Sequence, residues 1–243
     1  MQETFYSITT EKPIPPFTVA LIADLHGAPS RPVLESLRAQ RPDLIAIAGD
    51  LRIGEPAPYP TDFLSHCAAL SPVYYSLGNH EKTMTEEVKA ALSSLGITVL
   101  DNAWVRSSDL IIGGMTSPYV LRWRQTGRDT RRHMPPETGW LKEFERQEGF
   151  KLLLDHHPEH YPEITRNRNI DLILSGHAHG GQIRINGKGL FAPQQGFFPE
   201  YTGGVYDNRL VVSRGLSNTT LIPRWGNPPE LVYISVISNE VIK

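Results

Sequence analysis

Five short apolar runs, each ending abruptly in polar side chains, constrain this chain more than any other feature of its sequence. The runs cover residues 19–23, 44–48, 73–77, 151–154 and 171–175. They are rich in leucine and β-branched residues and too short for a helix, which is typical of buried strands. In an open α/β sheet the ligand site lies beyond the carboxyl ends of the strands, so the side chains after the runs are expected to converge. These side chains are Asp24, His26, Asp50, Asn79, His80, His156, His157, His177 and His179.

Helical patterns alternate with the first runs and predict parallel pairing, because strand, helix and strand in close succession form a βαβ unit. The helices are predicted near residues 32–39, 62–70, 86–95 and 140–147, and further strands at 97–100 and 110–114. Beyond residue 182, short strands at 182–185, 210–213 and 231–236 predict a second, more antiparallel sheet. Residues 1–16 are predicted to be a polar lead-in before a first strand at Phe17, and residues 17–243 a single domain.

Composition limits the classes of partner. The chain has 243 residues and a net charge of −2, so there is no strong nucleic-acid signal of the kind that an overall basic field provides. The single cysteine, Cys67, excludes an intramolecular disulfide and is predicted to be a buried thiol in a helix. No apolar run approaches the roughly 18 residues of a transmembrane segment. We expect a cytoplasmic protein; peripheral membrane association and a removed N-terminal anchor stay open, and the oligomeric state is not indicated.

The residue types at the strand ends are those that bind transition metals. Imidazole, carboxylate and amide groups suit Mn, Fe or Zn, and the chain lacks the multiple thiolates of structural zinc sites. His177 and His179 alone, in a glycine turn, would not define a metal site. The metal site is predicted because these histidines are expected to converge with the other strand ends. His66, His133 and His160 have no comparable context and are interpreted as exposed or capped histidines.

Residues 119–136 differ in composition from the rest of the chain, because arginines there alternate with aromatic residues. Charged segments usually face solvent, so a solvated loop is one interpretation. A lid over a phosphate-containing substrate is the other. In that case Arg122 and Arg124 would contact the substrate.

Five motifs occur in the order that resembles the calcineurin-like metallophosphoesterase superfamily. They are Asp-x-His, Gly-Asp, Gly-Asn-His-Glu, a lone His after a strand and Gly-His-x-His. They begin at Asp24, Gly49, Gly78, His156 and Gly176. The sequence downstream, from Gly180-Gly181-Gln182 to residues 212–216, resembles the bacterial YkuE/YaeI-like branch. The resemblance covers residues 17–237.

This resemblance implies an α/β fold, a four-layer αββα sandwich of two mixed β-sheets flanked by helices, with two metal ions at the strand ends. One metal would be bound by Asp24, His26, Asp50 and His179, and the other by Asp50, Asn79, His156 and His177, so that Asp50 bridges them. The ions would be Mn, Fe or Zn. His80 would act as an acid toward the leaving group, and a hydroxide between the metals would attack phosphorus.

Two positions leave alternatives open. His156 and His157 compete for one ligand position, and the neighbouring strand and Pro158 favour His156. Many superfamily members carry a second Asp, three residues after the bridging one, that orients the catalytic histidine; this chain has Ile53 there. Either Glu55 substitutes, or the enzyme depends more on its metals. Arg52 is a further candidate contact for substrate phosphate.

The leading hypothesis is a dinuclear metal-dependent phosphohydrolase that cleaves phosphodiester or pyrophosphate bonds in a small substrate, with nucleotide- and lipid-linked compounds included. One alternative is a phosphomonoesterase or protein phosphatase using the same site. The other is a metal-binding module with impaired catalysis, for which Ile53 is the supporting feature.

Overall fold

The computed structural model describes residues 1–54, 57–130, 134–217 and 222–239. Within this part of the chain, two six-stranded mixed sheets pack face to face, and helices cover their outer faces. The described helices include none that is both long and apolar enough to cross a membrane.

The first sheet carries three of the five motif strands and has the order β1-β16-β2-β3-β4-β5. Its strands are β1 (Gln2–Thr10), β2 (Phe17–Ile22), β3 (Leu44–Ala48), β4 (Val73–Ser76), β5 (Ile97–Leu100) and β16 (Glu230–Ser238). Strands β2 to β5 are parallel, β16 runs antiparallel to β2, and β1 runs parallel to β16. The motif strands therefore end at the same edge.

The second sheet carries the other two motif strands and has the order β14-β15-β9-β8-β7-β6. Its strands are β6 (Ala103–Ser107), β7 (Leu110–Met115), β8 (Phe150–Asp155), β9 (Leu172–Ser175), β14 (Gly204–Tyr206) and β15 (Leu210–Val212). Strands β7, β8, β9 and β15 are parallel, and antiparallel β6 and β14 form the two edges. Two small hairpins, β10 (Arg184–Ile185) with β11 (Lys188–Gly189) and β12 (Phe191–Ala192) with β13 (Gly196–Phe197), lie outside both sheets.

Three apolar clusters hold the layers together. The inner faces of the two sheets form the central one, with Val19 and Leu21 of β2 and Leu152 and Leu154 of β8 among its members. The outer face of the first sheet packs on helices α1 (Arg31–Gln40), α2 (Thr61–Ala68) and α3 (Glu86–Ser94), and that of the second on α5 (Leu141–Arg146). This is the four-layer αββα sandwich that the resemblance implies. Cys67 is buried in α2, as predicted.

The structure corrects three details of the sequence analysis. The first strand is β1 rather than the strand at Phe17; only Ile8 of its side chains is fully buried, because it is an edge strand, so its sequence lacks an apolar run. The three strands predicted after residue 182 do not form one sheet, since β15 joins the second sheet and β16 the first. Part of the segment predicted as a loop is helix α4 (Pro118–Thr126), while residues 131–133 lie outside the described part.

Candidate metal centre

The polar strand ends converge where the two sheets meet. Backbone hydrogen bonds join neighbouring loops, such as His26 N–H to the Asp50 carbonyl at 3.1 Å and Gly176 N–H to the His156 carbonyl at 3.1 Å. Across the two sheets, the backbone N–H of His177 donates to the Asp24 carboxylate at 3.0 Å. Loops far apart in sequence thereby present their side chains to one buried site.

Four candidate ligand groups form in the described part of the chain, and two of them overlap the two expected ligand sets. One carboxylate oxygen and two ring nitrogens of Asp24, His26 and His179 lie within 4.8 Å of one another, and so do those of Asp50, His156 and His177. Asp50 also belongs to a group with His26 and His80, so its carboxylate lies between the two sets.

The spacing between the candidate ligand atoms suits a bound cation. His179 Nε2 lies 3.6 Å from Asp24 Oδ1, His26 Nε2 3.6 Å from Asp50 Oδ2, and His156 Nε2 3.3 Å from Asp50 Oδ2. Zinc ligand bonds of about 2.0–2.2 Å place neighbouring donor atoms at separations of this size.

Unpartnered polar atoms point to the same conclusion. His26 Nε2, His156 Nε2 and Asn79 Oδ1 are buried without a hydrogen-bond partner, which is costly unless another group satisfies them. The other ring nitrogens are engaged, because His26 Nδ1 bonds the Arg52 carbonyl at 2.9 Å and His156 Nδ1 the Ala48 carbonyl at 2.6 Å. A carbonyl can only accept, so each Nδ1 carries a proton, and each Nε2 is the ring nitrogen that can bind a metal once it is unprotonated. The residues therefore fit a metal.

The backbone is left-handed at five candidate ligands, with φ of 52° at Asp24, 44° at His26, 56° at Asp50, 64° at His177 and 46° at His179. Residues other than glycine adopt this region at a cost, and such strain concentrates at functional sites. It also explains how two histidines separated by one residue, at 177 and 179, join different ligand groups, as the expected loop after Gly176 allows.

His156 and His157 are distinguished by their hydrogen bonds. His157 Nε2 lies 2.8 Å from Ser117 Oγ and its Nδ1 lies 3.0 Å from Glu159 Oε1, so both ring nitrogens already have partners. His156 Nε2 has none and faces Asp50. The geometry favours His156 as the ligand.

His80 stands beside the two groups with 30% of its side chain exposed. Its backbone N–H donates to Asp50 Oδ1 at 2.9 Å, and its Nε2 lies 3.9 Å from Asp50 Oδ2. Burial lowers the pKa of His80, although Asp50 opposes that shift. Ile53 is 65% exposed and offers no polar group to orient the ring, while Glu55 lies outside the described residues.

Buried charges perturb the pKa values of the ligands. Burial alone would raise the pKa of Asp50, but the adjacent His156, His80 and His26 hold it well below its ordinary value. Burial alone would lower the pKa of His156, but the Asp50 and Asp24 carboxylates raise it to about 10. Burial lowers the pKa of His177 and His179, which favours the neutral imidazole that binds metals.

Glu81 belongs to the Gly-Asn-His-Glu motif, but the sequence alone indicated no role for it. Its fully buried carboxylate accepts backbone hydrogen bonds from Asp50 at 2.9 Å, Leu51 at 3.0 Å and Gly78 at 2.8 Å. Burial and the neighbouring Asp50 raise the pKa of Glu81 to about 7. The carboxylate joins the loop after β3 to the loop after β4.

A cavity of about 600 Å³ opens over the ligand groups. Its lining residues are Asp50, Asn79, His80, Lys82, Tyr119, Asp129, Thr130, His177, His179, Pro193 and Gln194. Lys82 is the one cation among them in the described part of the chain, and its Nζ lies 2.5 Å from Asp129 Oδ1. Neither Lys82 nor Gln194 could be identified from the sequence, because no motif distinguishes them.

The three arginines expected to contact substrate do not line this cavity. Arg52 is buried, donates to the Ala57 carbonyl and packs against the Tyr59 ring. Arg124 donates to Asp101, and helix α4 holds Arg122 outside the lining residues. Charge and composition could not show that Arg52 and Arg124 already have partners within the fold, and a substrate contact by Arg122 stays a prediction.

This architecture brings the polar ends of strands from two sheets together in a site that fits a metal, as in the phosphoesterase class. The model of the calcineurin-like phosphoesterase family matches residues 17–181, and the chain belongs to that family. It is a metallophosphoesterase, a phosphoric ester hydrolase.

Curated relatives fall in the same group. YpbG of Bacillus subtilis is 27% identical over 97% of this chain and 86% of its own length. Phosphodiesterase YaeI of Escherichia coli is 27% identical over 70% of this chain and 63% of its own. Among solved structures, the phosphoesterase Yfce from E. coli aligns with 89% of this chain and 87% of its own at 15% identity and a TM-score of 0.40.

Proposed function

We propose that this protein is a dinuclear metal-dependent phosphohydrolase that cleaves phosphodiester or pyrophosphate bonds. The proposal rests above all on three buried atoms without a hydrogen-bond partner. His26 Nε2 and His156 Nε2 lie 3.6 Å and 3.3 Å from Asp50 Oδ2, and Asn79 Oδ1 belongs to a residue that lines the same cavity as Asp50.

Asp24, His26, Asp50 and His179 would hold one metal, and Asp50, Asn79, His156 and His177 the other. When bound, two such ions supply a nucleophilic oxygen at neutral pH and stabilise charge on the phosphoryl group. The mixed oxygen and nitrogen ligands suit Mn, Fe or Zn.

The remaining steps fall to groups that line the cavity. His80 is partly exposed there and is anchored to Asp50 through its backbone, so a proton on its ring can reach the leaving-group oxygen. Lys82 is the phosphate-contacting cation, in place of the three arginines expected from the sequence. Lys82 pairs with the carboxylate of Asp129, and the phosphate oxygens of the substrate would replace that carboxylate as its partner.

The side chains of the cavity add little positive charge to that of the two proposed metals, which favours a diester over a monoester. A phosphomonoester brings up to two negative charges and a diester one, and Lys82 is the one described cationic side chain of the lining. The name of YaeI, a phosphodiesterase, agrees with this preference. The preference separates the leading hypothesis from a phosphomonoesterase on the same site.

The test compares hydrolysis of bis(p-nitrophenyl) phosphate and p-nitrophenyl phosphate by metal-free protein to which Mn²⁺, Fe²⁺ or Zn²⁺ is returned. We expect metal-dependent activity with a higher kcat/KM for the diester. Asp50→Asn should lose both activity and bound metal, and His80→Ala should lose activity while it retains metal. Unchanged turnover after chelation, or in both variants, would overturn the proposal, and a preference for the monoester would favour the phosphomonoesterase alternative.

A further inference from the structure

Gln194 contacts the proposed metal centre from outside the five motif loops. It lies at the tip of the β12–β13 hairpin, where the loop between paired Ala192 and Gly196 turns back toward the cavity. Its side-chain Oε1 is 2.5 Å from Nε2 of His177. The family model ends at residue 181, so this contact belongs to the additional segment that follows the Gly-His-x-His motif.

The hairpin holds Gln194 in an uncommon backbone conformation. Its φ is 58°, in the left-handed region that side chains other than glycine, asparagine and aspartate rarely adopt. The neighbouring Gln195 has a different task, since its side chain bonds both the N–H and the carbonyl of Tyr201 and so anchors the loop. Of the two adjacent glutamines, one supports the hairpin and the other reaches the histidine.

The polarity of the contact decides which ring nitrogen of His177 can bind a metal. An amide oxygen has no proton to donate, so the hydrogen in this bond belongs to Nε2. The neutral ring then has its lone pair on Nδ1 alone. His177 shares a ligand group with Asp50 and His156. With Nε2 bonded to Gln194, Nδ1 is the ring nitrogen left for that group.

We propose that Gln194 is a positioning residue for the second metal, the one assigned to Asp50, Asn79, His156 and His177. Its carbonyl oxygen fixes the proton of His177 on Nε2 and directs the Nδ1 lone pair to the ion. Partners of this kind orient metal-binding histidines, and their removal typically weakens metal binding about 10- to 100-fold. The inference rests on the proposed dinuclear function.

Three variants separate this role from general support of the hairpin. Gln194→Met keeps the approximate length of the side chain and removes the acceptor. Gln194→Glu keeps an acceptor at the same place and cannot donate. Gln195→Met removes the Tyr201 hydrogen bonds and leaves the contact with His177, so it is the matched control.

The experiment titrates Mn²⁺ into metal-free protein by calorimetry and records the ring ¹⁵N signals of His177 by NMR. Wild type should show two binding events and a proton on Nε2. Gln194→Met should lose about 10- to 100-fold in affinity at one site, keep the other, and show a proton distributed between the two ring nitrogens. Gln194→Glu and Gln195→Met should stay within a few-fold of wild type.

The outcomes distinguish this inference from the function on which it rests. A wild-type protein with a single Mn²⁺ site would overturn the dinuclear centre itself. Two sites in wild type that Gln194→Met leaves unchanged would overturn only the role of Gln194. An equal loss in Gln195→Met would also overturn it, because hairpin integrity would then explain the effect.

Discussion

Glu81 binds Asp50 through the backbone, with Oε2 of the glutamate 2.9 Å from the amide nitrogen of the aspartate. The same oxygen accepts from Gly78, and the other from Leu51. The backbone of the proposed bridging residue is therefore held by a second carboxylate, which belongs to none of the ligand groups in the described part of the chain. Because Asp50 adopts a left-handed backbone, its orientation depends on this support.

We expect Glu81→Ala to destabilise the protein by about 3 kcal/mol, because three buried N–H groups lose their acceptor. Metal affinity should fall as well, since the loops of Asp50 and Asn79 are no longer joined. Urea unfolding and Mn²⁺ titration measure the two effects. Glu143→Ala on helix α5 is the control, because its contact with Arg146 is an exposed ion pair. Equal stability of the two variants would contradict this role for Glu81.

Metal binding should be coupled to proton release from His156. Its pKa of about 10 in the metal-free protein means that the ring is charged at neutral pH, and a metal must displace that proton. Affinity for the second metal should therefore rise about tenfold per pH unit between pH 7 and 9, and level off above the pKa. Calorimetry in buffers of different ionisation enthalpy counts the released proton. A pH-independent affinity over this range would be inconsistent with the prediction.

The family resemblance of the ordered motifs predicted the sandwich, and the polar residues after each apolar run predicted the convergence of the strand ends. Each signal was local: an apolar run, then a ligand residue. The role of Glu81 could not be predicted in this way, since two of its three backbone partners, Asp50 and Leu51, lie about thirty residues away in the sequence. The edge strand β1 was missed for a related reason, because its stability comes from pairing with β16, at the other end of the chain.

Substrate contacts were the least predictable part of the site. Composition favoured Arg122 and Arg124, whereas the proposed phosphate contact is Lys82, which lines the cavity. The spacing of charged residues does not indicate which of them have partners within the fold. The contact of Gln194 could not be predicted either, because a polar residue in a glycine- and proline-rich segment has the sequence context of an ordinary turn.

Gly78 is required by the close approach of Asp50. A Cβ atom at position 78 would overlap the Asp50 carboxylate and lie 2.7 Å from its backbone nitrogen. Gly78→Ala should therefore displace the proposed bridging ligand and weaken metal binding at least tenfold, as measured by Mn²⁺ titration. Gly139→Ala provides the control, since its added Cβ meets only the end of the exposed Glu137 side chain. Normal metal binding by Gly78→Ala would contradict this packing argument.

Arg124 has a structural role that activity and stability measurements can separate from substrate binding. Its guanidinium lies 2.9 Å from Asp101 Oδ2, and Asp101 also contacts Lys89 of helix α3 and accepts from Thr116 Oγ1. Burial would raise the pKa of Asp101, but these partners lower it below its ordinary value. The ionised carboxylate thus joins helices α3 and α4 to the end of β7.

The pKa of Asp101 is lower in the folded protein than in the unfolded chain, where it is near 3.9. Ionised Asp101 therefore stabilises the folded protein fully at pH values above about 3.9. This stabilisation disappears as the pH falls through the folded-state pKa. Asp101→Asn should cost about 2 kcal/mol in urea unfolding at pH 7 and pH 5, and progressively less below pH 4. Arg124→Ala should lower stability by a smaller amount, because Lys89 and Thr116 remain, and leave kcat/KM for the diester unchanged. If Arg124→Ala instead lowered kcat/KM without loss of stability, the result would support the role of Arg124 in substrate binding.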